Sequence, residues 1–352
     1  MTNLERWGWD AVWAAAAELD GVAAVEYGRV VEQERDRWIV ALESGSSPAR
    51  ITSASFSGLY PVAGDWVSTR PGPMPSDPAS IVGVLPRRSA ISRGAAGDGT
   101  TEQVLAANVD VVWIVQGLDK PINLRSIERY LAIAWESGAV PEIVLTKADL
   151  AGDVANPVDG LGQVGIGVDA HLVSIEQPES IRDLRAKLRA GRTVALLGPS
   201  GAGKSTLINA LAETSVAATG PVRAADRKGR HTTTRRELFQ LPGGALLLDT
   251  PGLRELRVWD LSEGLQHAFP EIEDLSAACH YRDCRHESEP GCAVLAAAES
   301  GELDASRLAS FRKLAAEAAY VQRTVDPEAR ALAVSRHKTA MKTLKYHPKY
   351  ER

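Results

Sequence analysis

The stretch Gly198-Pro-Ser-Gly-Ala-Gly-Lys-Ser205 decides how this chain of 352 residues is built. It follows the apolar run 194–197 and precedes the helical pattern Leu207, Ile208 and Leu211. A buried strand, a glycine-rich turn and a helix N-terminus in this order are the context that the phosphate-loop motif requires. An ordinary strand-to-helix turn is the alternative, but the full eight-residue match predicts a nucleotide site.

Each part of this motif has an expected role. The glycines let backbone N–H groups surround a phosphate chain, and the helix dipole adds positive potential. Lys204 would reach the outer phosphates, and the Ser205 hydroxyl would ligate Mg²⁺. The predicted nucleotide contacts are the whole stretch and the residue after it: Gly198, Pro199, Ser200, Gly201, Ala202, Gly203, Lys204, Ser205 and Thr206.

The composition describes a soluble globular protein with room for two or three domains. Hydrophobic residues make up 44% of the chain and charged residues 24%, with a formal net charge of −5. That charge argues against a general polyanion binder, so any nucleic-acid surface must be local. The sequence shows neither a signal peptide nor a run of eighteen apolar residues. We therefore predict a cytoplasmic protein with no membrane partner.

Short alternating strands predict a small closed barrel of the OB type in the first part of the chain. The five strands are expected at residues 22–31, 38–42, 50–56, 66–68 and 81–85. Aromatic residues on such strands either fill the core, which is the commoner role, or stack on bases; they are Tyr27, Trp38, Phe56, Tyr60 and Trp66. Arg87, Arg88 and Arg93 follow the last strand and are candidates for a phosphate contact. A short amphipathic helix at 7–19 is expected to pack on a neighbouring domain.

Strand–helix alternation begins after residue 100 and is typical of a parallel α/β sheet. Apolar strands are predicted at residues 111–115, 143–145, 171–174, 194–197 and 245–248. Ligands of open α/β sheets bind at the carboxyl ends of the strands. Three motifs lie at such ends: Thr146-Lys-Ala-Asp149, the phosphate loop, and Asp249-Thr-Pro-Gly252.

The first of these motifs indicates guanine. The Asp149 carboxylate can accept hydrogen bonds from N1–H and from the 2-amino group, which adenine does not offer, and the Lys147 stem can pack along the base. Asp249 would hold Mg²⁺ through water, and the Gly252 N–H would sense the γ-phosphate. The predicted guanine contacts are Thr146, Lys147, Ala148 and Asp149, and the three motifs together predict a GTPase. A phosphate-loop kinase or an ATPase of another class is the alternative.

The motifs stand in the order of a circularly permuted GTPase domain, because the guanine motif precedes the phosphate loop. With Val62-Ala-Gly-Asp-Trp66, Gln103-Val-Leu-Ala-Ala-Asn-Val-Asp110 and Gly229-Arg-His-Thr-Thr-Thr234, the chain resembles the RsgA family of small-ribosomal-subunit-dependent GTPases up to about residue 320. The resemblance implies an OB barrel, a permuted GTPase domain and a zinc module. It also implies late maturation of the small ribosomal subunit, with GTP or GDP, the subunit and its rRNA as partners. We expect a monomer.

The chain departs from the usual GTPase pattern at two positions. Thr146 stands where asparagine is preferred, so we expect some base or loop contacts to be lost. Ile175 replaces the alanine expected after Ser174, and this weakens the expectation that Ser174 backs the base.

Cys279, Cys284, His286 and Cys292 use every cysteine of the chain. Three thiolates and one imidazole form a full tetrahedral set for structural Zn²⁺ and leave no open position for catalysis. Buried thiols beside a surface histidine are the alternative, and His280 competes as the fourth ligand; the resemblance favours His286. Metal binding is expected to supply most of the folding energy of this short polar segment.

The attacking water needs a partner other than glutamine, since Leu253 stands where many GTPases place that residue. His231 is the candidate, brought inward when the subunit binds and able to accept a hydrogen bond from the water. A solvent-facing residue is the alternative for His231. Thr233, with Thr234 as its alternative, is expected to complete the Mg²⁺ shell.

We predict four parts in order: an N-terminal helix (1–20), an OB-type barrel (21–94), a circularly permuted GTPase domain (100–262), and a zinc-binding module with a basic helical tail (263–352). The basic residues of the tail either form a solvated face or contact rRNA phosphates. A nucleotide-gated RNA-binding factor whose hydrolysis is incidental is a further alternative to the GTP hydrolase.

Overall fold

The computed structural model describes residues 1–51, 59–74, 77–94, 102–152, 156–213, 236–249 and 261–325. The chain forms two compact units, one of Met1–Ile91 with Val104–Leu256 and the other of Ser92–Gln103 with Arg257–Arg352. The predicted barrel and the predicted nucleotide-binding sheet therefore share a unit. Within the described ranges, no helix combines the length and the apolar character needed to cross a membrane.

The N-terminus contains two short helices, α1 (Asn3–Arg6) and α2 (Ala11–Asp20). The Asp10 carboxylate caps α2 by accepting hydrogen bonds from the N–H groups of Val12 and Trp13 at 3.0 Å. Gly8, with a φ of +89°, turns the chain between the helices. The single helix predicted over 7–19 is therefore wrong at its start, because the cap and the turn end the helical path there.

Five strands close into the predicted barrel: β1 (Glu26–Glu34), β2 (Arg37–Leu42), β3 (Gly45–Ile51), β4 (Trp66–Arg70) and β5 (Ala79–Val84). They pair in the order β1-β2-β3-β5-β4, and β4 pairs again with β1. The strand predicted at 50–56 begins earlier, at Gly45, because β3 pairs with β2 along a polar stretch that carries no apolar alternation. Residues 52–56 lie outside the described residues.

Two of the barrel tryptophans have the core role. Trp38 and Trp66 are buried, whereas Tyr60 is exposed and donates from its hydroxyl to Asp36 at 2.6 Å. The Trp66 ring lies edge-on to Trp9, with ring centroids 4.8 Å apart, so the N-terminal segment covers this end of the barrel. Of the other two predicted aromatics, Tyr27 is half-buried and Phe56 lies outside the described residues.

A largely parallel sheet with helices follows the barrel in the first unit, and a separate two-stranded sheet has residues in both units. Strands β6 (Ala90–Gly94) and β7 (Glu102–Ala107) pair with each other, and the main sheet contains β8 (Val111–Gly117), β9 (Val140–Thr146), β10 (Ala170–Leu172), β11 (Thr193–Leu197), β12 (Arg236–Gln240) and β13 (Leu246–Asp249). The order β10-β9-β8-β11-β13 is parallel throughout, which confirms the predicted α/β sheet. Strand β12 was not predicted; it is antiparallel to β13 and also to barrel strand β1.

Apolar helix faces pack on this sheet. The helices are α3 (Leu124–Glu136), α4 (Pro178–Lys187) and α5 (Lys204–Ala212). One buried cluster joins α4 and α5 to the strands; it includes Trp113, Val144, Ile181, Leu184, Val194, Leu207, Leu211 and Leu247. Burial of such side chains is worth about 1.5–3 kcal/mol each. This packing fixes α5, and with it the turn that precedes it.

The second unit contains α6 (Ser262–Ala268), α7 (Pro270–Ser276), α8 (Ala293–Ser300) and α9 (Ala305–Val325). Arg307 of α9 is buried, pairs with Glu271 and donates to the Ala268 carbonyl at 2.7 Å. Its guanidinium lies 4.6 Å from the centroid of the Phe269 ring. Residues 326–352, which carry the basic tail, lie outside the described residues.

A buried arginine joins the parts of the first unit. Arg29 of β1 is 2% exposed, and its guanidinium donates to the Trp7 carbonyl at 2.5 Å and to the Gly64 carbonyl at 3.2 Å. It also donates to the Asn108 carbonyl at 3.1 Å and to the Thr193 hydroxyl at 2.8 Å. Burial lowers the pKa of Arg29 to about 10, so the group stays charged at neutral pH.

Arg29→Met should lower the free energy of unfolding by about 2–4 kcal/mol, because it leaves several buried acceptors without a donor. Urea unfolding followed by tryptophan fluorescence measures the change. Arg37→Ala is the matched control, since Arg37 is exposed on β2 and should change stability by less than about 0.5 kcal/mol. Equal stability of the two variants would contradict the role assigned to Arg29.

Candidate nucleotide and metal sites

The phosphate-loop stretch forms the turn between β11 and α5, as predicted from the sequence. Gly198 has a φ of +144°, and a Cβ atom there would lie 2.3 Å from the Val115 carbonyl oxygen, so only glycine fits. The Lys204 ammonium donates to the carbonyls of Gly198 at 2.6 Å and Pro199 at 2.7 Å. The lysine thus lies across its own loop, at the N-terminus of α5, where helix geometry favours a phosphate.

Thr146 holds the guanine motif against the phosphate loop. Its hydroxyl donates to the Ala202 carbonyl at 2.5 Å, and the side chain is buried at the end of β9. The hydroxyl therefore reaches the phosphate loop, and the loss of some base or loop contacts relative to asparagine stays a prediction from the sequence. Lys147 adds a second link by donating to the Gly201 carbonyl at 2.9 Å.

Ser174 orients the carboxylate of Asp149. The Ser174 hydroxyl donates to the Asp149 Oδ1 atom, and the Ser174 Oγ atom accepts from the Glu176 N–H at 3.1 Å. Ser174 is itself buried, and its N–H donates to the Ser180 hydroxyl at 3.0 Å. Ile175 is 55% exposed, so the substitution of the expected alanine does not displace Ser174 from Asp149.

A cavity of about 280 Å³ lies between these groups. Its walls come from residues 146–150, residues 173–176 and the start of α5, including Gly203 and Thr206. The lining combines the apolar residues Val173, Ile175 and Ile181 with Asp149. An apolar cleft with a few placed polar groups is typical of a small-molecule site. The volume and the lining suit a nucleotide base.

Of the other predicted nucleotide-binding residues, some lie within the described ranges and some lie outside them. Asp249 ends β13, which lies beside β11, the strand that leads into the phosphate loop. Gly252, His231 and Thr233 lie outside the described residues, so their roles stay predictions from the sequence.

The arginines after the barrel contact other parts of the protein. Arg87 binds both carboxylate oxygens of buried Asp65, at 2.8 and 2.7 Å. Arg88 pairs with Asp10 and lies 4.1 Å from the Trp13 ring centroid. Arg93 donates to the Gln103 side chain at 3.1 Å. These side chains therefore have internal partners, which argues against their prediction as phosphate ligands.

The four predicted metal ligands come together in the second unit. The ligand atoms of Cys279, Cys284, His286 and Cys292 all lie within 4.8 Å of one another. The Cys279 and Cys292 sulfurs are 3.8 Å apart, and the His286 Nδ1 atom lies 3.6 and 3.4 Å from them. Ligands of a tetrahedral zinc-like ion are separated by roughly 3.5–3.8 Å. The residues therefore fit a tetrahedral metal ion.

The surroundings of His286 favour metal binding. His286 has a φ of +59°, and α9 supports this backbone because Arg312 donates to the His286 carbonyl. Burial lowers the pKa of His286, which favours the neutral imidazole that binds metals. His280 is outside the cluster, and its ring packs edge-on against Tyr281 at 4.6 Å. The structure thus supports His286 over His280.

Comparisons with known proteins agree with this arrangement. The family model described as RsgA GTPase matches residues 84–259, and one described as 50S ribosome-binding GTPase matches residues 193–329. The small ribosomal subunit biogenesis GTPase RsgA of Opitutus terrae is 44% identical over 338 residues, which cover 92% of each chain.

Two solved structures are also similar. The crystal structure of YjeQ from Thermotoga maritima is 26% identical, with a TM-score of 0.63, and the match covers 84% of this chain and 98% of YjeQ. YloQ, described as a circularly permuted GTPase, is 23% identical with a TM-score of 0.61, and covers 84% of this chain and 96% of its own. The second likeness supports the fold alone.

The fold and the site define a circularly permuted GTPase that carries an N-terminal barrel and a Cys₃His metal cluster. The chain belongs to the RsgA GTPase family, and GTP hydrolysis is its reaction.

Sequence reasoning missed several residues that shape the site. Ser180 supports Ser174, and Arg29 fixes the start of β11. Asp119 pairs with Lys147 at 2.9 Å. Only Asp119 left a signal in the sequence, because it is a carboxylate just beyond the end of an apolar strand, like Asp149 and Asp249.

Elemental analysis should find one metal ion per chain, and Cys284→Ser should lose most of it, because three ligands hold the ion far more weakly than four. His280→Ala is the matched control and should keep the full metal content. Loss of metal from His280→Ala together with retention by His286→Ala would contradict the ligand set.

Proposed function

We propose that this protein hydrolyses GTP during late maturation of the small ribosomal subunit, and that the subunit stimulates hydrolysis. The observation that carries the proposal is the contact of Thr146 with Ala202, which joins a base-reading motif and a phosphate loop into one site. The names of its relatives supply the biological setting, since the similar protein of Opitutus terrae is a small ribosomal subunit biogenesis GTPase.

Guanine is selected, in this proposal, by Asp149. Its carboxylate would accept from N1–H and the 2-amino group, and the Ser174 hydroxyl holds it in place. The base would lie in the 280 Å³ cavity, with the Lys147 stem along one face. The phosphate chain would then follow the backbone of residues 198–206 towards Lys204.

Ser205 and Asp249 would hold Mg²⁺, with Thr233 as the third protein group on the basis of the sequence. The ion neutralises charge on the β- and γ-phosphates when it is bound. Gly252 would sense the γ-phosphate through its N–H. Water orientation is assigned to His231, since the position after Asp249-Thr-Pro-Gly252 is Leu253, whose side chain has no hydrogen-bonding group.

The barrel offers a surface for rRNA phosphates. Arg50 of β3 and Arg70 of β4 are exposed, and both pair with Ser80 of the strand between them. Residues opposite each other in a sheet share a face, so the two arginines start from one face of the barrel, with their backbones about 10 Å apart. Two positive charges on an acidic protein form the local surface that the composition requires. The basic tail would extend such contacts.

Zinc is the proposed ion of the Cys₃His cluster. Three thiolates and one imidazole are a ligand set that zinc prefers, and the closed tetrahedron suits a structural role. Structural zinc contributes roughly 10–16 kcal/mol to the folding of finger peptides. The short segment 277–292 contains no helix of its own between α7 and α8, so its fold would depend on the ion. We also propose that the protein is a cytoplasmic monomer.

Asp149→Asn should weaken GTP binding about ten- to a hundredfold, because it replaces a charge-assisted pair worth roughly 1.5–3 kcal/mol. Binding of xanthosine triphosphate, which carries an oxygen in place of the 2-amino group, should improve. Calorimetric titration with both nucleotides measures the change, with Asp159→Asn as an exposed control. Unchanged GTP affinity would exclude Asp149 as the base-reading residue.

The function itself is tested by GTPase assays with and without purified small subunits. Wild-type turnover should be low alone and rise strongly with subunits. His231→Ala should bind GTP normally, yet its stimulated rate should be about 10²–10⁴-fold lower than that of the wild type. This is the usual effect of removing one positioned acid–base group. His280→Ala is the control and should be stimulated like the wild type.

Each part of the proposal has its own contrary result. No stimulation of the wild type by subunits would contradict the ribosomal role. A stimulated kcat of His231→Ala within twofold of wild type would exclude His231. Release from subunits that is equally fast with GTP and with a non-hydrolysable analogue would favour a nucleotide-gated RNA-binding factor.

A further inference from the structure

Lys147 of the guanine motif is held from two sides. Its ammonium lies 2.9 Å from the Asp119 Oδ2 atom and 2.9 Å from the Gly201 carbonyl oxygen. The first contact is with the turn after β8, and the second is with the phosphate loop. The side chains of Lys147 and Asp119 are each about one-third exposed, at 32% and 31%. The ammonium is therefore fixed while the stem stays accessible.

The register of two parallel strands creates this pair. Gly117, the last residue of β8, lies opposite Thr146, the last residue of β9. The Leu118 N–H donates to the Thr146 carbonyl at 2.9 Å, which continues the pairing past the strand ends. The next residues on each side are consequently neighbours, and these include Asp119 and Lys147. The hydrogen bond from Lys147 lowers the pKa of Asp119, so the carboxylate is ionised at neutral pH.

Gly117 leaves the space that the pair needs. A Cβ atom at this position would lie 2.6 Å from the Asp119 Oδ1 atom and 3.6 Å from the Lys147 Cδ and Cε atoms. A side chain at this position would require the carboxylate to shift from the position in which it binds the lysine. The end of β8 thus provides both the charge and the room for an ordered lysine stem.

We propose that Asp119 is a positioning residue for nucleotide binding, which with the Gly201 carbonyl fixes the Lys147 stem along the face of the base. This inference rests on the proposed function, in which Lys147 packs on guanine. Lysine has many rotamers, and a side chain that is ordered before binding loses less entropy when the ligand arrives. Asp119 contributes to affinity in this way without contacting the nucleotide.

The proposal separates the face of the base from its edge. Asp149 reads the edge, so its variants change the preference between bases. Asp119 acts through the stem on the face, which guanine and hypoxanthine share. Loss of Asp119 should therefore weaken the binding of GDP and of inosine diphosphate (IDP) by the same factor. The ratio of the two affinities should stay unchanged. It should raise KM for GTP and leave kcat as in the wild type.

The experiment is a calorimetric titration of the full chain with GDP and IDP. Asp119→Ala and Asp119→Asn should each weaken GDP binding about three- to tenfold. This loss lies between the effect of an exposed ion pair and that of a charge-assisted hydrogen bond. Asp119→Ala combined with Lys147→Ala should bind no more weakly than Lys147→Ala alone. Asp183→Ala, on the exposed side of α4, should bind like the wild type.

Wild-type GDP affinity in both Asp119 variants would overturn the inference. A loss that adds fully to that of Lys147→Ala, or a changed ratio of GDP to IDP, would overturn it as well. Failure of the proposed guanine site is a different result, in which Lys147→Ala itself binds GDP as tightly as the wild type. The thermal midpoint of each variant shows that the fold is intact.

Discussion

The buried guanidinium of Arg29 holds the separate parts of the first unit together. Arg29 belongs to the barrel, yet its acceptors come from the N-terminal turn, from the turn before β4, from the end of β7 and from the start of β11. Three carbonyls and one hydroxyl share the positive charge. Since β11 leads into the phosphate loop, the hydrogen bonds of Arg29 fix the barrel relative to the nucleotide site. A shorter or neutral side chain could not reach these acceptors and satisfy them together.

In this circularly permuted chain the base-reading motif precedes the phosphate loop and is separate from it in the sequence. Chain connectivity alone therefore does not bring the two together. Contacts across strand ends restore the alignment: Thr146 to Ala202, Lys147 to Gly201, and Ser174 to Asp149. All of them lie at the carboxyl edge of the parallel sheet, where successive strands end side by side. The site is therefore a property of the sheet order β10-β9-β8-β11-β13, and it tolerates a different order of strands along the chain.

The sequence predicts the parts of this protein whose signals are local. Buried parallel strands such as β8 and β11 are continuous apolar runs, and the metal ligands share one short segment. Strand β12 was not predicted because Leu238 is its only buried residue, and β3 was misplaced because it begins among serines and a proline. The pair of Asp119 with Lys147 depends on the register of β8 and β9, which no local pattern encodes. Thr146 shows the same limit, since its reach to Ala202 follows from strand position rather than from residue type.

Strand β1 joins the barrel to the parallel strands within one continuous sheet. Its first half, Glu26–Arg29, pairs with β4 and closes the barrel, while Glu32 and Gln33 pair with β12. A bulge between Val30 and Glu32 separates the halves and lets the strand bend from the barrel towards β12. The barrel thereby covers the outer edge of β12, whose N–H and C=O groups would otherwise form a template for aggregation. A GTPase domain cut away from its barrel would expose that edge.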